Sequence, residues 1–555
     1  MRLAGHVIAK QLEVHGVGRV FCVPGESFIA VLDGLRDSPI ETVVCRHEGG
    51  AGMMAEATGK LTGLPGIVMV TRGPGATNVA SALHVAEQDS TPLIVMVGLP
   101  PTGSEGRGAF QEIDLHQLFG GMAKWVTTLR DARRIPEVVS RAFYTAMQGR
   151  PGPVVIGLPE DMLMETVDVP DAEPVMPMEN SCSQAQVHAV IDMIARAERP
   201  VIILGGSQWG QGAVASVARF AEAFDIPVAT QVRRQSLFDA LHPNYAGDLA
   251  PRANPALLAL IGKADLIVLL GGRMSEVPSQ HYTLLAIPRP QQGLVHIHPG
   301  AEELGRVYQP TLAIQASPVG FASALAATAP WPERPRSERT RQAHQAYLAW
   351  SEMAPPMPGE VQLGAVMAHL RQVLPPDAII CNGAGNYTGW VQRFTRFRVF
   401  GSQLAPISGS MGYGLPAAIA ARLQMRDRRV VAFAGDGCFL MTAQEFATAV
   451  QYGVPVIVII FDNSMFGAIR MFQERQFPAR DFATELRNPD FAALARSFGG
   501  HGESVNVTEE FAPALQRALD SGLPAIVHCR ISPEAINVTT TLSDLRRAAQ
   551  PDGKP

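Results

Sequence analysis

Short apolar runs alternate with longer helix-like patterns along most of the chain. The run at 66–70 is continuously hydrophobic after its first glycine, and a longer segment with apolar positions at helical spacing follows it. Strands that are buried on both faces of a parallel sheet have this pattern, because helices cover each face. We therefore predict an α/β protein with three doubly wound parallel-sheet domains. The other strand-like runs are 92–97, 153–156, 201–204, 226–230, 266–270, 294–297, 430–434 and 454–461.

Two stretches interrupt this alternation. Residues 167–183 are rich in Pro, Asp, Glu, Met and Ser without any periodicity, and residues 330–360 are rich in Pro, Arg and Glu. Such stretches are typical of linkers. The predicted organisation is an N-terminal domain at 1–165, a linker at 166–184, a central domain at 185–327, a linker at 328–360, a C-terminal domain at 361–531 and a tail at 532–555.

Composition narrows the class of protein. The formal charge of −5 and the lack of a dense Lys/Arg run argue against nucleic acid and membrane partners, which leaves small molecules. The six cysteines lie far apart without a CxxC pair, so we expect free thiols. The N-terminus lacks the apolar core of a signal peptide, and the run at 454–461 is too short to cross a bilayer. These features favour a cytoplasmic enzyme.

Two ligand-type side chains follow two successive strands of the C-terminal domain. Gly435-Asp436-Gly437 comes directly after the run at 430–434, and Asp462-Asn463 ends the next run. Open parallel sheets bind ligands at the carboxyl ends of their strands. Glycines allow a diphosphate to approach, the following helix favours negative charge, and oxygen atoms of Asp and Asn suit Mg²⁺. Taken alone, however, each motif could also be an ordinary turn with a capping residue.

The position of these motifs resembles the diphosphate-binding signature of thiamine-diphosphate-dependent enzymes. Residues 438–461 fill the interval with a strand-helix-strand pattern of the length found in that family. The family usually has Asn where this chain has Asp462, but the ligand position, Asn463, is intact. The resemblance implies that Asp436, Asn463 and the main-chain carbonyl of Met465 bind Mg²⁺.

A carboxylate near the N-terminus supports the same resemblance independently. Residues 43–48 are predicted to form a strand that ends at Glu48, and a helix of small residues follows. Glu48 by itself could be an ion-paired surface residue. It resembles the family's activating glutamate, which shares a proton with the aminopyrimidine ring of the cofactor and so makes the ring's amine a base.

Further segments match the cofactor-binding regions of this family. Thr71 to Asn78 resembles the turn beside the pyrimidine ring, and Gly383 to Asn386 resembles a turn whose amides face the diphosphate. The carbonyl of Gly409 would accept from the 4'-amino group, and Met411 would wedge between the two rings, although Met411 could equally be core filling. The cofactor-binding residues that the resemblance implies are Glu48, Thr71, Pro74, Asn78, Gly383, Ala384, Gly385, Gly409, Met411, Gly435, Asp436, Gly437, Cys438, Asn463, Met465, Phe466 and Gly467.

Within the family the resemblance is closest to acetolactate (acetohydroxyacid) synthase large subunits, and it runs from Met1 to about Ile531. Residues 110–114 match that group's Phe-Gln-Glu segment, in which Gln111, beside Phe110, would contact the substrate-derived adduct. The His-His pair of pyruvate-type decarboxylases is absent, and so is the His that benzoylformate-type decarboxylases have at the position of Thr71. The resemblance therefore favours carboligation after decarboxylation.

The departures from that group concern the substrate pocket. Val277 replaces the arginine that binds the carboxylate of the second oxo acid, and Phe472 replaces the tryptophan that shapes the acceptor pocket. Loss of a bidentate contact should weaken the selection of carboxylate acceptors. Glu26 and Ser27 replace small residues in the substrate-facing turn and add an acid there, although they could instead cap the following helix. An acceptor other than pyruvate or 2-oxobutyrate is expected.

The central domain departs from flavin-binding relatives. Residues 296–299 are His-Ile-His-Pro where such relatives usually have an Asp, and the glycines at 205–206 are a weak nucleotide signal. The sequence permits FAD but does not favour it. His296 and His298 have no further ligands for zinc near them in the sequence, which favours two ordinary histidines.

The leading hypothesis is a decarboxylating carboligase for 2-oxo acids. The alternatives are a decarboxylase or C–C lyase of the same fold, and a catalytically silent paralogue that binds the cofactor. In this family the N-terminal and C-terminal domains of different chains meet at the cofactor. We therefore expect a homodimer or homotetramer with active sites between chains.

Overall fold

The computed structural model describes residues 1–549, so the last six residues of the predicted tail lie outside the described residues. Three six-stranded sheets with only parallel pairings dominate the fold, and helices flank each of them. This confirms the predicted α/β class with three parallel-sheet domains. By packing, the chain divides into two compact units. The first contains Met1–Met178, Pro406–Arg426 and Thr442–Val454, and the second contains the remaining residues.

The first sheet lies within the predicted N-terminal domain and has the strand order β3-β2-β4-β5-β7-β6. Its inner strands β5 and β7 are buried on both faces, as their continuous apolar sequences predict. The strands are β2 (Arg19–Cys22), β3 (Glu41–Val44), β4 (Gly66–Thr71), β5 (Leu93–Leu99), β6 (Trp125–Thr128) and β7 (Pro153–Pro159), and β1 (Arg2–Leu3) pairs separately with β8 (Thr166–Val167). The helices are α1 (Ala4–Val14), α2 (Ile29–Arg36), α3 (Glu48–Thr62), α4 (Arg72–Asp89), α5 (Leu115–Phe119), α6 (Ile135–Met147) and α7 (Glu160–Leu163).

Helix α3 is almost wholly buried because its residues are small. It packs against α4 and against α15 (Gly414–Gln424), which belongs to the same compact unit. A Cβ atom at Gly52 would lie 2.6 Å from Ala82, and one at Gly50 would lie 2.5 Å from Glu445. Larger side chains at these positions would therefore push the neighbouring elements apart. Helix α3 is followed by Gly63, whose φ of +74° is a conformation that favours glycine.

The second sheet forms the central domain, in the order β11-β10-β9-β12-β13-β14. A capping box at Ser183 starts its first helix. The predicted linker at 328–360 contains a helix that packs on β11. The strands are β9 (Pro200–Leu204), β10 (Val228–Gln231), β11 (Tyr245–Leu249), β12 (Leu266–Leu270), β13 (Gly293–His298) and β14 (Leu312–Gln315), and the helices are α8 (Gln184–Arg196), α9 (Gln211–Ala223), α10 (Pro255–Gly262), α11 (Pro318–Ala326) and α12 (Glu338–Trp350).

The third sheet has the order β16-β15-β17-β18-β20-β19. Its helices α15 and α17 belong to the first compact unit, whereas its strands belong to the second. The strands are β15 (Ile379–Asn382), β16 (Gln403–Leu404), β17 (Val430–Gly435), β18 (Ile457–Asp462), β19 (His501–Val505) and β20 (Ala525–Arg530). The helices are α13 (Leu363–Val373), α14 (Thr388–Phe394), α15, α16 (Asp436–Leu440), α17 (Glu445–Gln451), α18 (Gly467–Gln476), α19 (Phe491–Ser497), α20 (Phe511–Asp520) and α21 (Leu542–Ala549).

The polar segment after Ile531 contains α21, which packs on α18. Leu542 and Leu545 form a small core with Ile536 and Met471. Glu474 of α18 is 1% exposed and accepts hydrogen bonds from Arg546. Part of the predicted tail is therefore packed against the C-terminal domain.

Two predicted element boundaries are wrong. The strand expected at 43–48 ends at Val44, and Glu48 is instead the first residue of α3. A helical pattern is predicted at 442–452 after the Gly-Asp-Gly motif, whereas the structure has one short helix, α16, that begins at Asp436 and a second helix, α17, at Glu445–Gln451. The apolar content of both segments is correct, but periodicity alone does not show where a strand gives way to a helix.

Candidate active site

Glu48 occupies the first turn of α3 in the first compact unit. The strand β3 ends at Val44, and the side chain of His47 accepts from the amide of Gly49 to cap the helix. The Glu48 carboxylate is buried, with 9% of the residue exposed, and it accepts from Asn78 Nδ2 at 2.9 Å. The structure therefore brings together two of the predicted cofactor-binding residues. An acid at this helix terminus is favoured by the helix dipole.

Glu445, to which no sequence motif pointed, supports the turn that precedes Glu48. Its Oε1 atom accepts from the backbone amides of Arg46 at 3.1 Å and His47 at 2.9 Å, and its Oε2 atom accepts from Thr448 Oγ1 at 2.7 Å. Burial raises the pKa of this carboxyl, while these hydrogen bonds oppose the rise. The only sequence signal was a glutamate in an otherwise apolar helical pattern, which does not reveal contacts 398 residues away.

The turn at Gly25 places the side chains of Glu26 and Ser27 in different environments. Ser27 is buried, and its Oγ atom lies 2.7 Å from Thr71 Oγ1. Glu26 is exposed, with one oxygen 3.6 Å from a guanidinium nitrogen of Arg72. A Cβ atom at Gly25 would lie 2.3 Å from Thr71, so only glycine fits there. Neither side chain of the pair caps a helix.

Phe110 and Gln111 lie on the loop opposite the start of α4. The backbone amide of Gly73 donates to the Gln111 carbonyl at 2.9 Å, and Gln111 has a φ of +61°. Phe110 is 72% exposed, and the guanidinium of Arg72 lies 5.9 Å from its ring. Gln111 is thus fixed by its backbone next to the predicted pyrimidine turn. Pro74 is exposed in the first turn of α4.

The segment that carries Gly409 and Met411 also belongs to the first unit. Gly409 has a φ of +72°, and its amide donates to Pro406. Thr442 Oγ1 donates to the Gly412 carbonyl at 2.6 Å. Met411 is half-buried, which distinguishes it from the fully buried core residues around it.

A buried polar network anchors both ends of this segment to α3 and α4. Tyr413 donates to Glu56 at 2.6 Å, and Asp89 accepts from the amide of Ile407 at 2.7 Å. Lys60 forms ion pairs with Glu56 and Asp89, at 3.1 and 2.5 Å. The network fixes the main chain around Gly409 and Met411, and no local sequence pattern pointed to it.

In the second unit, the motif Gly435-Asp436-Gly437 forms the junction between β17 and α16. Asp436 is 3% exposed and Cys438 is 4% exposed. A Cβ atom at Gly437 would lie 2.6 Å from the Phe466 ring, and one at Gly435 would lie 3.4 Å from Tyr387. The predicted residues are therefore closely packed, and glycine occupies the two positions at which neighbouring aromatic rings lie close to the backbone.

Tyr387 closes the other side of this junction. Its hydroxyl donates to the Phe433 carbonyl at 3.1 Å and accepts from the Gly383 amide at the same distance. It also lies 3.6 Å from Cys438 Sγ. Ala384 is half-buried, and Gly385 has a φ of +144°. The structure thus brings the turn at Gly383 to Gly385 next to the Gly-Asp-Gly motif.

Asn488 and His528, to which no sequence motif pointed, complete this region. Asn488 Nδ2 lies 2.8 Å from oxygens of both Asp436 and Asp462, so it bridges the two carboxylates. His528 Nε2 lies 2.9 Å from Asp462. Burial, with the charge of Asp462, raises the pKa of Asp436. Burial of Asp462 is outweighed by hydrogen bonds from His528, Ser464 and Asn488, which lower its pKa.

The predicted metal ligands fit a hard cation in their chemistry. Asp436 is a buried carboxylate, and burial together with the charge of Asp462 disfavours its charged form and raises its pKa. Asn463 directly follows β18, and a Cβ atom at Gly467 would lie 2.9 Å from its side chain. The carbonyl of Met465 accepts from the Gly467 amide at 2.9 Å and keeps a second lone pair. Across residues 1–549, no cluster of three His, Cys, Asp or Glu side chains could hold a metal. The proposed ligand set does not need such a cluster, because two of its three ligands are an Asn side chain and a main-chain carbonyl.

The two predicted acceptor-pocket residues are not brought to the same cavity. Phe472 lines a cavity of about 460 Å³ in the second unit, together with Met471 and Arg475. Val277 does not line this cavity, although His281, which follows it in the same loop, does. Val277 is half-buried, and its carbonyl accepts from Gln280.

The two histidines of β13 are buried structural residues. His296 Nε2 lies 3.0 Å from the Gly272 carbonyl, and His298 Nδ1 lies 3.0 Å from the Gly300 amide. Burial lowers the pKa of both, that of His298 to about 4. Both rings thus contact main-chain groups of their own domain. All six cysteines are free thiols, as expected.

Comparison with known proteins identifies the class to which this fold and these residues belong. Three family models match: the N-terminal TPP binding domain of thiamine pyrophosphate enzymes at residues 2–118, their central domain at 187–325, and their C-terminal TPP binding domain at 383–529. The chain belongs to the thiamine pyrophosphate enzyme family. It is a thiamine-diphosphate-dependent enzyme that forms or cleaves C–C bonds.

Within this family the chain is similar to acetolactate synthase large subunits. It is 31% identical to the large subunit of isozyme 1 from Escherichia coli, over 94% of this chain and 93% of the relative. The large subunit from Parasynechococcus marenigrum is 30% identical over 94% of this chain and 86% of the relative. The large subunit of isozyme 2 from E. coli is 29% identical over 94% of both chains. The predicted resemblance is confirmed over nearly the whole length.

Proposed function

We propose that this protein is a Mg²⁺-dependent decarboxylating carboligase that acts on 2-oxo acids. The observation that carries the proposal is the buried Glu48 carboxylate, held by Asn78 at the start of α3. Bound thiamine diphosphate would supply a carbon nucleophile for the carbonyl of the oxo acid. Glu48 would hold a proton against the pyrimidine ring, and Gly409 would accept from its amino group.

The second unit would bind the diphosphate and its metal. Asp436, Asn463 and the carbonyl of Met465 are the proposed ligands of Mg²⁺. Asn488 would orient Asp436, because it donates to that carboxylate and to Asp462 at once. The turn at Gly383 to Gly385 and the start of α16 would direct backbone amides toward the diphosphate.

Replacement of Glu48 tests the proposed chemistry. We expect Glu48→Gln to lower kcat by about 100-fold or more, because the substitution removes the acid that shares the proton with the ring. The measurement is CO₂ release from a panel of 2-oxo acids, with cofactor affinity determined separately by circular dichroism. Glu165→Gln, an exposed glutamate in the same unit, is the matched control. Undiminished turnover in the Glu48 variant would contradict the assignment.

The metal dependence has its own test. Removal of divalent cations should abolish turnover and weaken thiamine diphosphate binding, and Mg²⁺ should restore both. Asn463→Ala should raise the Mg²⁺ concentration needed for half-maximal cofactor binding by about tenfold or more. Full binding of the cofactor in a chelator would refute the proposed metal site.

The acceptor pocket is proposed to differ from that of acetolactate synthases. Val277 offers no guanidinium, Phe472 is smaller than tryptophan, and Glu26 adds an acid near the predicted substrate turn. The alternative is a decarboxylase or lyase, which would release only an aldehyde from a 2-oxo acid. Mass spectrometry of the products distinguishes the two, because a carboligase joins the decarboxylated donor to a second carbonyl compound. A silent paralogue would release no CO₂.

We propose a homodimer or homotetramer with active sites between chains, as the resemblance implies, and a cytoplasmic location. Sedimentation of a fully active monomer would refute the first, and cell fractionation tests the second. Among residues 1–549, no helix combines the length and the apolar character needed to span a membrane.

A further inference from the structure

Arg72 lies at the carboxyl edge of the first sheet, directly after β4, and its side chain is buried. Its guanidinium reaches segments that follow three other strands of this sheet. The nitrogen Nη2 donates to Glu160, after β7, at 2.8 Å, and Nη1 donates to the Phe110 carbonyl, after β5, at 3.4 Å. Nη1 also lies 3.6 Å from Glu26, after β2. One side chain therefore connects the carboxyl ends of four adjacent strands, where open parallel sheets bind their ligands.

The backbone at Arg72 is strained, and so is the backbone that faces it. Arg72 has a φ of +36° and Gln111 has a φ of +61°, a region that residues other than glycine rarely adopt. The amide of Gly73 donates to the Gln111 carbonyl at 2.9 Å, and a Cβ atom at Gly73 would lie 3.0 Å from that oxygen. The two strained residues therefore meet at a close backbone contact. Such conformations persist only where surrounding contacts hold them, and they cluster at functional sites.

The loop that carries Gln111 has no apolar anchor of its own. Residues 100–114, all of which the structure describes, include none that is buried, and the Phe110 ring is exposed. Glu112 ties part of the loop to itself by accepting from two of the loop's own amides. The loop is therefore held against α4 by polar contacts. Arg72 contributes a hydrogen bond to the Phe110 carbonyl and a contact with the Phe110 ring at 5.9 Å.

The geometry of the guanidinium makes these contacts specific to arginine. Arg72 Nε is buried without a hydrogen-bond partner among residues 1–549, so the two terminal nitrogens set the direction of the group. A planar guanidinium can bind Glu160 and the Phe110 carbonyl at the same time, whereas an ammonium group is a single point of charge. Glu160 therefore orients the guanidinium, and the guanidinium in turn holds the loop.

The first turn of α4 adjoins both Glu48 and Gln111. A Cβ atom at Gly75 would lie 3.5 Å from Glu48 Oε1, and Gly73 contacts the Gln111 carbonyl. We propose that Arg72 is a positioning residue, which holds the loop at 100–114 so that Gln111 faces the reacting substrate. Arg72 acts through this loop and does not itself contact the substrate. This inference rests on the proposed function, and it adds a residue that places Gln111.

Hydrogen exchange of the loop amides tests the positioning without any turnover. In the holoenzyme, with thiamine diphosphate and Mg²⁺, Arg72→Met should raise the exchange rate of residues 105–113 about fivefold or more, because the loop loses a tie to α4. Arg72→Lys keeps the charge but not the two-armed contact, so it should give a smaller rise. It also provides the test if Arg72→Met does not fold. Arg133→Met, at an exposed position of the same unit, is the matched control and should leave the exchange unchanged.

A double-mutant comparison tests whether Arg72 acts through Gln111. The measurement is product formation by the holoenzyme from the most active 2-oxo acid of the panel. Arg72→Met and Gln111→Ala should each lower kcat about tenfold and change KM less than about threefold, because a misplaced contact costs most in the reacting state. The double variant should lie within about twofold of the slower single variant, because either change removes the same contact. Arg72→Lys should recover part of the rate, and Arg133→Met should not alter it.

The outcomes distinguish this inference from the proposed function. If no 2-oxo acid releases CO₂ but the Arg72 variants loosen the loop, the proposed function fails and the positioning by Arg72 stands. If the exchange of residues 105–113 is the same in the Arg72 variants as in wild type, the inference is overturned whatever the activity. Losses of kcat that multiply in the double variant would also overturn it, because Arg72 would then act independently of Gln111.

Discussion

Glu445 allows a sharp test of how the turn before Glu48 is held. Its carboxylate accepts from the amides of Arg46 and His47 and from the hydroxyl of Thr448. Leucine at this position would have similar bulk but no acceptor. Three donors would lose their partner, and each buried donor left unpaired costs about 1–3 kcal/mol. The turn is only partly buried, so water can reach part of it. We expect Glu445→Leu to lower the free energy of unfolding by about 2–4 kcal/mol.

Glutamine at the same position should behave differently. It keeps one oxygen for the two amides and turns its own amide toward the Thr448 hydroxyl, which can accept. Because burial raises the pKa of Glu445 in the folded protein, the unfolded chain loses this proton first as the pH rises. The stability that this group contributes therefore decreases as the pH rises from the unfolded pKa, about 4.5, to the higher folded pKa. Glu445→Gln removes that loss, so at pH 7 we expect its stability within about 1 kcal/mol of wild type.

The assay is urea unfolding at a fixed protein concentration and at pH 7, followed by tryptophan fluorescence. Affinity for thiamine diphosphate is measured in parallel, because the altered turn leads directly into Glu48. Glu165→Leu, at an exposed position, is the control for the chemical change. The reasoning is refuted if Glu445→Leu lies within about 0.5 kcal/mol of wild type, or if Gln and Leu destabilise equally.

Three further predictions concern other parts of the molecule. Gly50→Ala should destabilise the folded protein by about 1–3 kcal/mol in thermal unfolding, because the new Cβ would lie 2.5 Å from the buried carboxylate of Glu445. Gly212→Ala should stabilise it, because the space around Gly212 is open and alanine favours the helix. Equal effects of the two substitutions would contradict this. Asn488→Ala should weaken Mg²⁺-dependent cofactor binding about tenfold by titration calorimetry, because it releases Asp436; an unchanged affinity would refute the bridging role. Arg546 and Arg470 lower the pKa of Glu474 to about 2, so the stability that Glu474 contributes should be present above pH 4.5 and should decline as the pH falls toward 2. This decline should be missing in Glu474→Gln. The prediction fails if the urea midpoints of wild type and variant change in parallel between pH 2 and 6.

The apolar runs were enough to predict the three parallel sheets. A strand such as β5 is hydrophobic at almost every position because both of its faces are covered, and this leaves a local signature. The motif at Gly435 to Gly437 was recognisable for a similar reason. Its residues are adjacent in sequence, and each is needed for its own backbone or side-chain chemistry.

Exact element boundaries were less predictable. The expected strand through Glu48 ends at Val44, because the chain turns so that the amides of Arg46 and His47 face Glu445. That contact joins positions nearly 400 residues apart in sequence, and no local pattern reports it. The same is true of the network of Tyr413, Glu56 and Lys60, whose members resemble ordinary helix residues.

The sequence by itself determined the fold class, the cofactor family and the positions of Glu48, Asp436 and Asn463, because each depends on residues that are close together along the chain. Only the tertiary structure decided which side chains support them and which residues line the cavity beside Phe472. Arg252 and Phe472 lie far apart in sequence, and their common cavity exists only after the central and C-terminal sheets have packed within one unit. The charge of that cavity is a sum over distant positions, which the pattern along a chain does not encode.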